Sequence, residues 1–164
     1  MVNENAREYM MSRKLASVKE YDYVIVDCSP SLGLLNQNAL LYADEVIVPV
    51  STDVLGIDAY HKTVSAIEEL NENFAHDVQI KAVIPTLFDK RNKINRECLQ
   101  ALQNECYEIL TIPIRVNTKL KESFKAKRSI FSYAKSSPGA KDFTEVVTQI
   151  LRQEENAEPS EMID

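Results

Sequence analysis

One carboxylate in this sequence stands at a position where metal chemistry is common. Tyr23 to Val26 are β-favouring residues, Asp27 follows them, and a turn with Pro30, Ser31 and Gly33 leads into residues with helical spacing. Nucleotide-hydrolysing α/β proteins hold magnesium on an acidic side chain at the end of such a buried strand. For Asp27 alone, an ordinary helix cap or Asx turn is the equally good alternative.

The loop that would hold phosphates next to such a metal is absent from the sequence. That loop needs two glycines followed by Lys and Ser or Thr, so that backbone N–H groups surround a phosphate. The glycines of this chain are Gly33, Gly56 and Gly139, and five residues after them, where the second glycine is needed, stand Asn38, His61 and Thr144. We therefore expect that this chain alone does not hydrolyse ATP.

The composition of the chain restricts the classes of protein to which it can belong. The 164 residues are 45% hydrophobic, which suits one globular domain, and the net charge of −6 argues against a surface coated for nucleic acid. The three cysteines form no C-x-x-C pair, so neither a zinc site nor a disulfide framework is indicated, and a cytoplasmic location is expected. The sequence has no apolar run of eighteen residues and no signal-peptide pattern, so no membrane association is expected.

The elements that must position Asp27 follow an alternating pattern. Four short apolar runs predict buried strands, and the stretches between them have helical spacing, so the expected fold is α/β, with a mostly parallel sheet flanked by helices on both faces. The predicted strands are Tyr23 to Val26, Val46 to Val50, Ile80 to Ile84 with an extension towards Phe88, and Ile109 to Ile114.

Five helices are predicted from apolar residues spaced three and four apart. They run over about 5–18, from near Ser31 through Leu41, over 57–74, over 95–107 with Asn95 as N-cap, and over 140–153. Residues 1–153 are thus expected to form one domain, and the acidic tail 154–164 is expected to be disordered.

The segment that begins at Asp27 reads Asp27-Cys-Ser-Pro-Ser-Leu-Gly-Leu-Leu, with Asn-Ala-Leu further on. It resembles the D-C-P-P-S-L-G-L-L-x-x-N-A-L switch of the ParA/Soj partition ATPases, relatives of MinD. The resemblance continues in order through Ala43 to Val50, Thr86 to Arg91, Ile112 to Ser123 and Ser137 to Phe143, and it covers roughly residues 5–153. Ser29 in place of a proline and the one-place shift of Arg115 from I-P-R are mild departures.

The resemblance implies roles at matching positions. Asp27 would be the Walker B-type carboxylate that holds magnesium through a water, and Pro30 and Ser31 would form the switch that senses the γ-phosphate. Thr86, Pro113 and Arg115 would lie near the adenine. ATP and Mg²⁺ are the implied cofactors, and a ParB-like activator is an implied partner.

The same resemblance implies a truncated P-loop NTPase fold of the SIMIBI type, without its N-terminal strands. In this family the phosphate-loop strand lies between the strand before Asp27 and the strand Val46 to Val50. Without it, each of these strands has an unpaired apolar edge. We expect either direct pairing of the two or completion of the sheet by a homodimer partner or another polypeptide.

Two basic clusters are candidates for DNA binding. The first contains Lys90, Arg91, Lys93 and Arg96, and the second contains Arg115, Lys119, Lys121, Lys125, Lys127 and Arg128. The alternative is a solvated face that balances the acidic residues. Partition ATPases bind DNA without sequence preference through basic residues of their C-terminal half, which implies contacts by Lys90, Arg91, Arg96, Lys125, Lys127 and Arg128.

Two functions remain open from the sequence. The first is a ParA-like chromosome or plasmid partitioning protein, which in its complete form is an ATP-dependent DNA segregation switch. The second is a non-catalytic binding or dimerisation module that retains the scaffold. The response to ATP separates these two functions.

Overall fold

The computed structural model describes residues 7–29 and 33–157, with side chains as far as residue 153. In this part of the chain a 3₁₀ turn over Arg7–Tyr9 leads into the first helix, and seven helices and two strands follow one another. They are α1 Met10–Leu15, α2 Leu34–Leu40, β1 Glu45–Ser51, α3 Val54–Phe74, β2 Gln79–Thr86, α4 Lys93–Cys106, α5 Thr118–Lys125, α6 Ile130–Tyr133 and α7 Pro138–Ala157.

The α/β class is confirmed. β1 and β2 are hydrogen-bonded neighbours in a parallel sheet, and α3 forms the connection between them. Both strands contain a predicted apolar run, and their buried side chains include Val48, Val50, Ala82 and Val83. Near-continuous apolar runs of this kind are typical of strands covered on both faces.

The predicted strand over Ile109 to Ile114 forms only in part. Isolated parallel bridges join Val83 to Leu110 and Phe88 to Arg115 on the far side of β2. The N–H of Thr111 donates to the Val83 carbonyl at 3.0 Å, but the next bond to β2 comes from Ile114, which donates to the Pro85 carbonyl at 2.8 Å. A regular ladder is interrupted because Pro113 and Pro85 have no N–H to donate.

The predicted strand Tyr23 to Val26 is wrong for this structure. The segment has no strand assignment, and Ile25 is 92% exposed. A strand requires a hydrogen-bonded neighbouring strand, and the sheet of the described residues, which consists of β1 and β2, does not include this segment. Its apolar composition therefore does not produce a buried strand here.

The five predicted helices form with different ends, and α5 and α6 were not predicted. α1 ends at Leu15 instead of near residue 18, α3 begins at Val54, and α7 runs from Pro138 to Ala157. The predicted cap of α4 was wrong: Asn92 has extended backbone angles, and its Oδ1 accepts the N–H of Ile94. Asn95 lies inside the first turn and is buried.

The chain divides into two compact units. The first comprises Met1–Val46 and His61–Gln79, and the second comprises Ile47–Tyr60 and Ile80–Asp164. In the first unit, Asn38 connects α2 to the preceding 3₁₀ turn and α1. Its Nδ2 donates to the Arg7 carbonyl at 2.8 Å, and its Oδ1 accepts the N–H of Met11 at 3.0 Å.

The second unit contains the sheet. Its buried apolar residues include Leu102 of α4, Val146 of α7, and Ile114 in the segment beside β2. Among the described residues, no helix combines the length and hydropathy that a membrane crossing requires.

Candidate functional site

Asp27 lies in the first unit, in an exposed segment without regular structure. The carbonyl of Ser29 accepts a hydrogen bond from Asn36 Nδ2 at 2.6 Å, which ties this segment to α2. Pro30 and Ser31, the predicted switch residues, lie outside the described residues. Within the described part of the chain, no three His, Cys, Asp or Glu side chains are grouped to hold a metal. A magnesium ion at Asp27 would therefore depend on oxygens from phosphates.

Two of the glycines are used for close packing. A Cβ atom on Gly56 would lie 2.1 Å from the Ser51 carbonyl oxygen, and a Cβ atom on Gly139 would lie 2.8 Å from Leu120 Cγ. The space that a Cβ atom would fill at each of these glycines is thus occupied by protein atoms. Because the sequence has no glycine-rich phosphate loop and the described residues contain no cluster of metal ligands, they do not fit ATP and magnesium by themselves.

The carboxyl ends of β1 and β2 are joined in the second unit by hydrogen bonds from Thr52. The backbone N–H and the hydroxyl of Thr52 both donate to the carbonyl of Thr86, at 3.0 and 3.1 Å. Thr52 is 1% exposed. The predicted nucleotide residue Thr86 is thereby fixed through its backbone at the sheet edge where ligands bind in open α/β sheets.

The buried amide of Asn95 extends this connection to the next loop. Asn95 Nδ2 donates to the Thr52 carbonyl, and Asn95 Oδ1 accepts the N–H of Asp89 at 2.9 Å. One side chain thus holds the loop after β1 against the loop after β2. Sequence reasoning missed this role, because an asparagine near a helix start has the same signature as an N-cap.

Asp89 and Arg91 form an exposed pair in the loop after β2. Arg91 Nη2 lies 2.7 Å from Asp89 Oδ2, and Arg91 also donates its backbone N–H to Asp89 Oδ1 at 3.0 Å. These hydrogen bonds lower the pKa of Asp89 to about 2 and raise the pKa of Arg91. The charge of Arg91 is therefore partly compensated where DNA binding was predicted.

Pro113 and Arg115 lie at the same sheet edge as Thr86. The bridge between Phe88 and Arg115 and the bond from Ile114 to Pro85 place this segment beside the end of β2. The three residues predicted to lie near adenine, Thr86, Pro113 and Arg115, are thus brought together in the second unit. Their contact with a nucleotide stays a prediction.

Arg115 is held by Asp142 of α7. Its Nε lies 2.9 Å from Asp142 Oδ2, its Nη2 lies 2.6 Å from Oδ1, and its backbone N–H also donates to Oδ2 at 3.1 Å. The carboxylate is 6% exposed and the arginine side chain 53%. Burial alone would raise the pKa of Asp142, but the bonds from Arg115 outweigh it and lower this pKa.

Asp142 was not identified from the sequence. A signal was present in α7, because Asp142, Val146 and Gln149 are spaced four and three apart and so share a helix face. Gln149 Oε1 accepts the N–H of Ile112 at 2.9 Å. Polar residues on this face therefore bind the backbone of the segment that contains Pro113.

The predicted DNA-binding residues form two groups in the second unit. In the first group Arg96 Nη1 donates to the Lys90 carbonyl at 2.8 Å, so Arg96 supports the loop that also contains Arg91. The second group, Lys125, Lys127 and Arg128, lies at the end of α5 and is exposed.

These observations define an α/β protein with a parallel sheet whose carboxyl edge gathers polar loop residues. A family model described as an AAA domain matches residues 1–80. The chromosome partitioning protein ParA of Myxococcus xanthus is 25% identical over 161 residues, which are 97% of this chain and 57% of that protein. The cell division protein PomZ of the same organism is 33% identical over 147 residues, 88% of this chain and 46% of PomZ.

Among solved structures, cobyrinic acid a,c-diamide synthase of Mycobacterium smegmatis with bound ADP and magnesium aligns with a TM-score of 0.72 at 27% identity. The alignment covers 98% of this chain and 60% of that protein. The chain is thus similar to ParA-type partition proteins, and its described fold is that of the related P-loop NTPases. It spans about half to three-fifths of the length of the relatives it matches.

Proposed function

We propose that this chain is part of a ParA-like switch for DNA segregation, whose complete form requires ATP and magnesium. The relationship to ParA and PomZ and the ADP and magnesium bound to the related synthase support the proposal. Asp27 is the metal-facing carboxylate in this proposal. Pro30 and Ser31 form the switch, and Thr86, Pro113 and Arg115 lie near the base.

The chain alone does not bind ATP tightly in this proposal. The observation that carries this step is the absence of a glycine-rich phosphate loop from the sequence, together with the absence of a metal-ligand cluster among the described residues. The test is thermal unfolding with and without millimolar ATP and magnesium. A ligand at a hundred times its dissociation constant adds about 2.7 kcal/mol, so a shift of that size that disappears in D27A would contradict this step.

The outer edge of β1 is the place where another strand would complete the sheet. The N–H of Thr52 points to Thr86 of β2, so by alternation the backbone groups of Ile47, Pro49 and Ser51 point the other way. Among the described residues no strand pairs with that side, and Pro49 has no N–H there. A second copy or a polypeptide with a glycine-rich loop is the proposed partner.

Co-expression tests this completion directly. The chain is produced with a segment of M. xanthus ParA that contains a glycine-rich loop, and the purified material is analysed for a complex and for ATP-dependent stabilisation. Stabilisation that requires Asp27 supports the switch. A complex that forms without any ATP effect favours the alternative, a non-catalytic binding module on the same scaffold.

DNA binding without sequence preference is the second part of the proposal. The contacts come from Lys90, Arg91, Arg96, Lys125, Lys127 and Arg128, and they act by neutralising phosphates. The affinity for duplexes of unrelated sequence should be equal and should fall steeply with salt, with a slope of about −0.9 per contact. A salt-independent affinity would contradict the assignment.

A further inference from the structure

The end of α5 combines a dense positive charge with an exposed aromatic ring. Residues 115–128 contain six basic side chains and one acidic side chain, Glu122, in a chain of net charge −6. Phe124 is 86% exposed. We call Lys121, Phe124, Lys125, Lys127 and Arg128 the α5 corner.

Spacing places three members of the α5 corner on one side of the helix. Lys121 and Lys125 are four residues apart, and Phe124 is three residues from Lys121, so these side chains are neighbours on the helix surface. All three residues are exposed. The ring of Phe124 therefore lies next to Lys121 on the helix surface, on the side of α5 that also contains Lys125.

Lys127 adopts a backbone conformation that favours glycine. Its φ is 50°, and it follows the C-cap of α5, where its N–H donates to the Phe124 carbonyl at 3.0 Å. The N–H of Arg128 donates to the Ser123 carbonyl at 3.0 Å, which completes a Schellman motif. A lysine in this left-handed position costs stability that a glycine would not. Such a strained residue is more common at functional sites.

Arg128 is held in place beside this turn. Its Nη2 donates to the Ser132 carbonyl, and its guanidinium carbon lies 5.9 Å from the centre of the Tyr133 ring. Tyr133 in turn donates its hydroxyl to Glu122 Oε2 at 3.0 Å, and Lys119 Nζ lies 2.7 Å from the same oxygen. The one acidic side chain of the segment is thus already paired, and the α5 corner keeps its positive charge.

We propose that the α5 corner binds single-stranded nucleic acid, with Phe124 stacking on an unpaired base and the four cations contacting phosphates. This inference rests on the proposed DNA binding and adds a preference for unpaired strands. Grooves for single strands combine positive charge along the backbone with aromatic rings on which bases stack. A duplex has no unstacked base to offer, so Phe124 contributes little to duplex binding.

An anionic membrane is the competing occupant and fits less well. Membrane-surface helices present a broad apolar face. On α5 the other large apolar residue, Leu120, lies against Gly139 of α7 and is not available. One exposed ring among cations suits a base and phosphates better than a lipid layer.

The test measures fluorescence anisotropy of the full 164-residue chain with a labelled 30-nucleotide oligo-dT and with a 30-base-pair duplex. Stacking on one base corresponds to roughly a 5- to 150-fold change in affinity. F124A should weaken oligo-dT binding within this range and change duplex binding less than about twofold, and F124W should restore it. Because Phe124 is exposed, these substitutions leave the fold intact.

The matched variant K125A should weaken both nucleic acids alike, because it removes only a phosphate contact. If wild type and F124A bind oligo-dT equally while both bind duplex, the stacking role is wrong and the proposed DNA binding survives. If neither nucleic acid binds, both proposals fail. Phe124-dependent binding to phosphatidylserine-containing vesicles without oligo-dT binding would assign the α5 corner to membranes instead.

Discussion

The carboxylate of Asp142 accepts hydrogen bonds from both the backbone N–H and the guanidinium of Arg115. One buried side chain thus holds the end of the strand-like segment 109–115 and the positive charge of Arg115 in place. The two partners differ in environment, since Arg115 reaches solvent and Asp142 does not. Removal of Asp142 therefore leaves a cation that water can reach, and the two losses should differ in their cost. Loss of Arg115 leaves a buried carboxylate without its cation.

R115A should destabilise the protein more than D142A does. A buried charge without its partner is costly, whereas Arg115 without Asp142 can be hydrated. We expect losses in the free energy of unfolding of about 2 to 3 kcal/mol for R115A and about 1 kcal/mol for D142A. Urea denaturation at pH 7 measures both, and equal losses would contradict the asymmetry.

The pH dependence provides a second check of the same pair. The pKa of Asp142 lies below its ordinary value of 3.8 in the folded protein. Its pairing therefore contributes stability that is present above the unfolded pKa and is lost as the pH falls through the folded pKa. In R115A burial raises this pKa instead, so the difference between R115A and wild type should shrink from pH 6 towards pH 3.

N95A should cost more than N92A, although both asparagines lie at the start of α4. Removal of the Asn95 amide leaves the Thr52 carbonyl and the Asp89 N–H without their partner in a buried region, which costs about 2 to 3 kcal/mol. Removal of the N-cap Asn92 costs about 1 kcal/mol. Chemical denaturation measures the loss in the free energy of unfolding for each variant. A larger loss for N92A than for N95A would contradict the prediction and favour a local capping role for Asn95.

Asn92 and Asn95 also show which features of the fold could be predicted from the sequence and which could not. Apolar runs predicted β1 and β2, which pair with each other and bury Val48, Val50 and Val83, and helical spacing predicted α3. The run Tyr23 to Val26 has the same composition, but a strand depends on a partner that composition does not reveal. Asn95 was misassigned because its partners at Thr52 and Asp89 come together only in the folded chain.

G56A should destabilise the protein, although alanine is the better helix former by about 1 kcal/mol. The added Cβ would lie 2.1 Å from the Ser51 carbonyl oxygen, and this oxygen belongs to the backbone at the end of β1. G139A is the matched control, since its Cβ would meet the side chain of Leu120, which can move. Thermal unfolding should show a loss of about 1 to 3 kcal/mol for G56A and a smaller loss for G139A. If G56A were as stable as wild type, the backbone of the turn between β1 and α3 would have to move to accommodate the added Cβ.

K127G should stabilise the protein and weaken its binding to DNA. The left-handed φ of 50° costs a lysine about 1 kcal/mol that glycine avoids, so the urea midpoint should rise, while the loss of one cation should lower the affinity for duplex and oligo-dT. A75G is the matched control, because Ala75 has a φ of 48° after α3 and carries no charge. It should give a similar gain in stability with unchanged binding. If K127G bound DNA as well as wild type, Lys127 would not be a phosphate contact, and its strained conformation would have no role in the α5 corner.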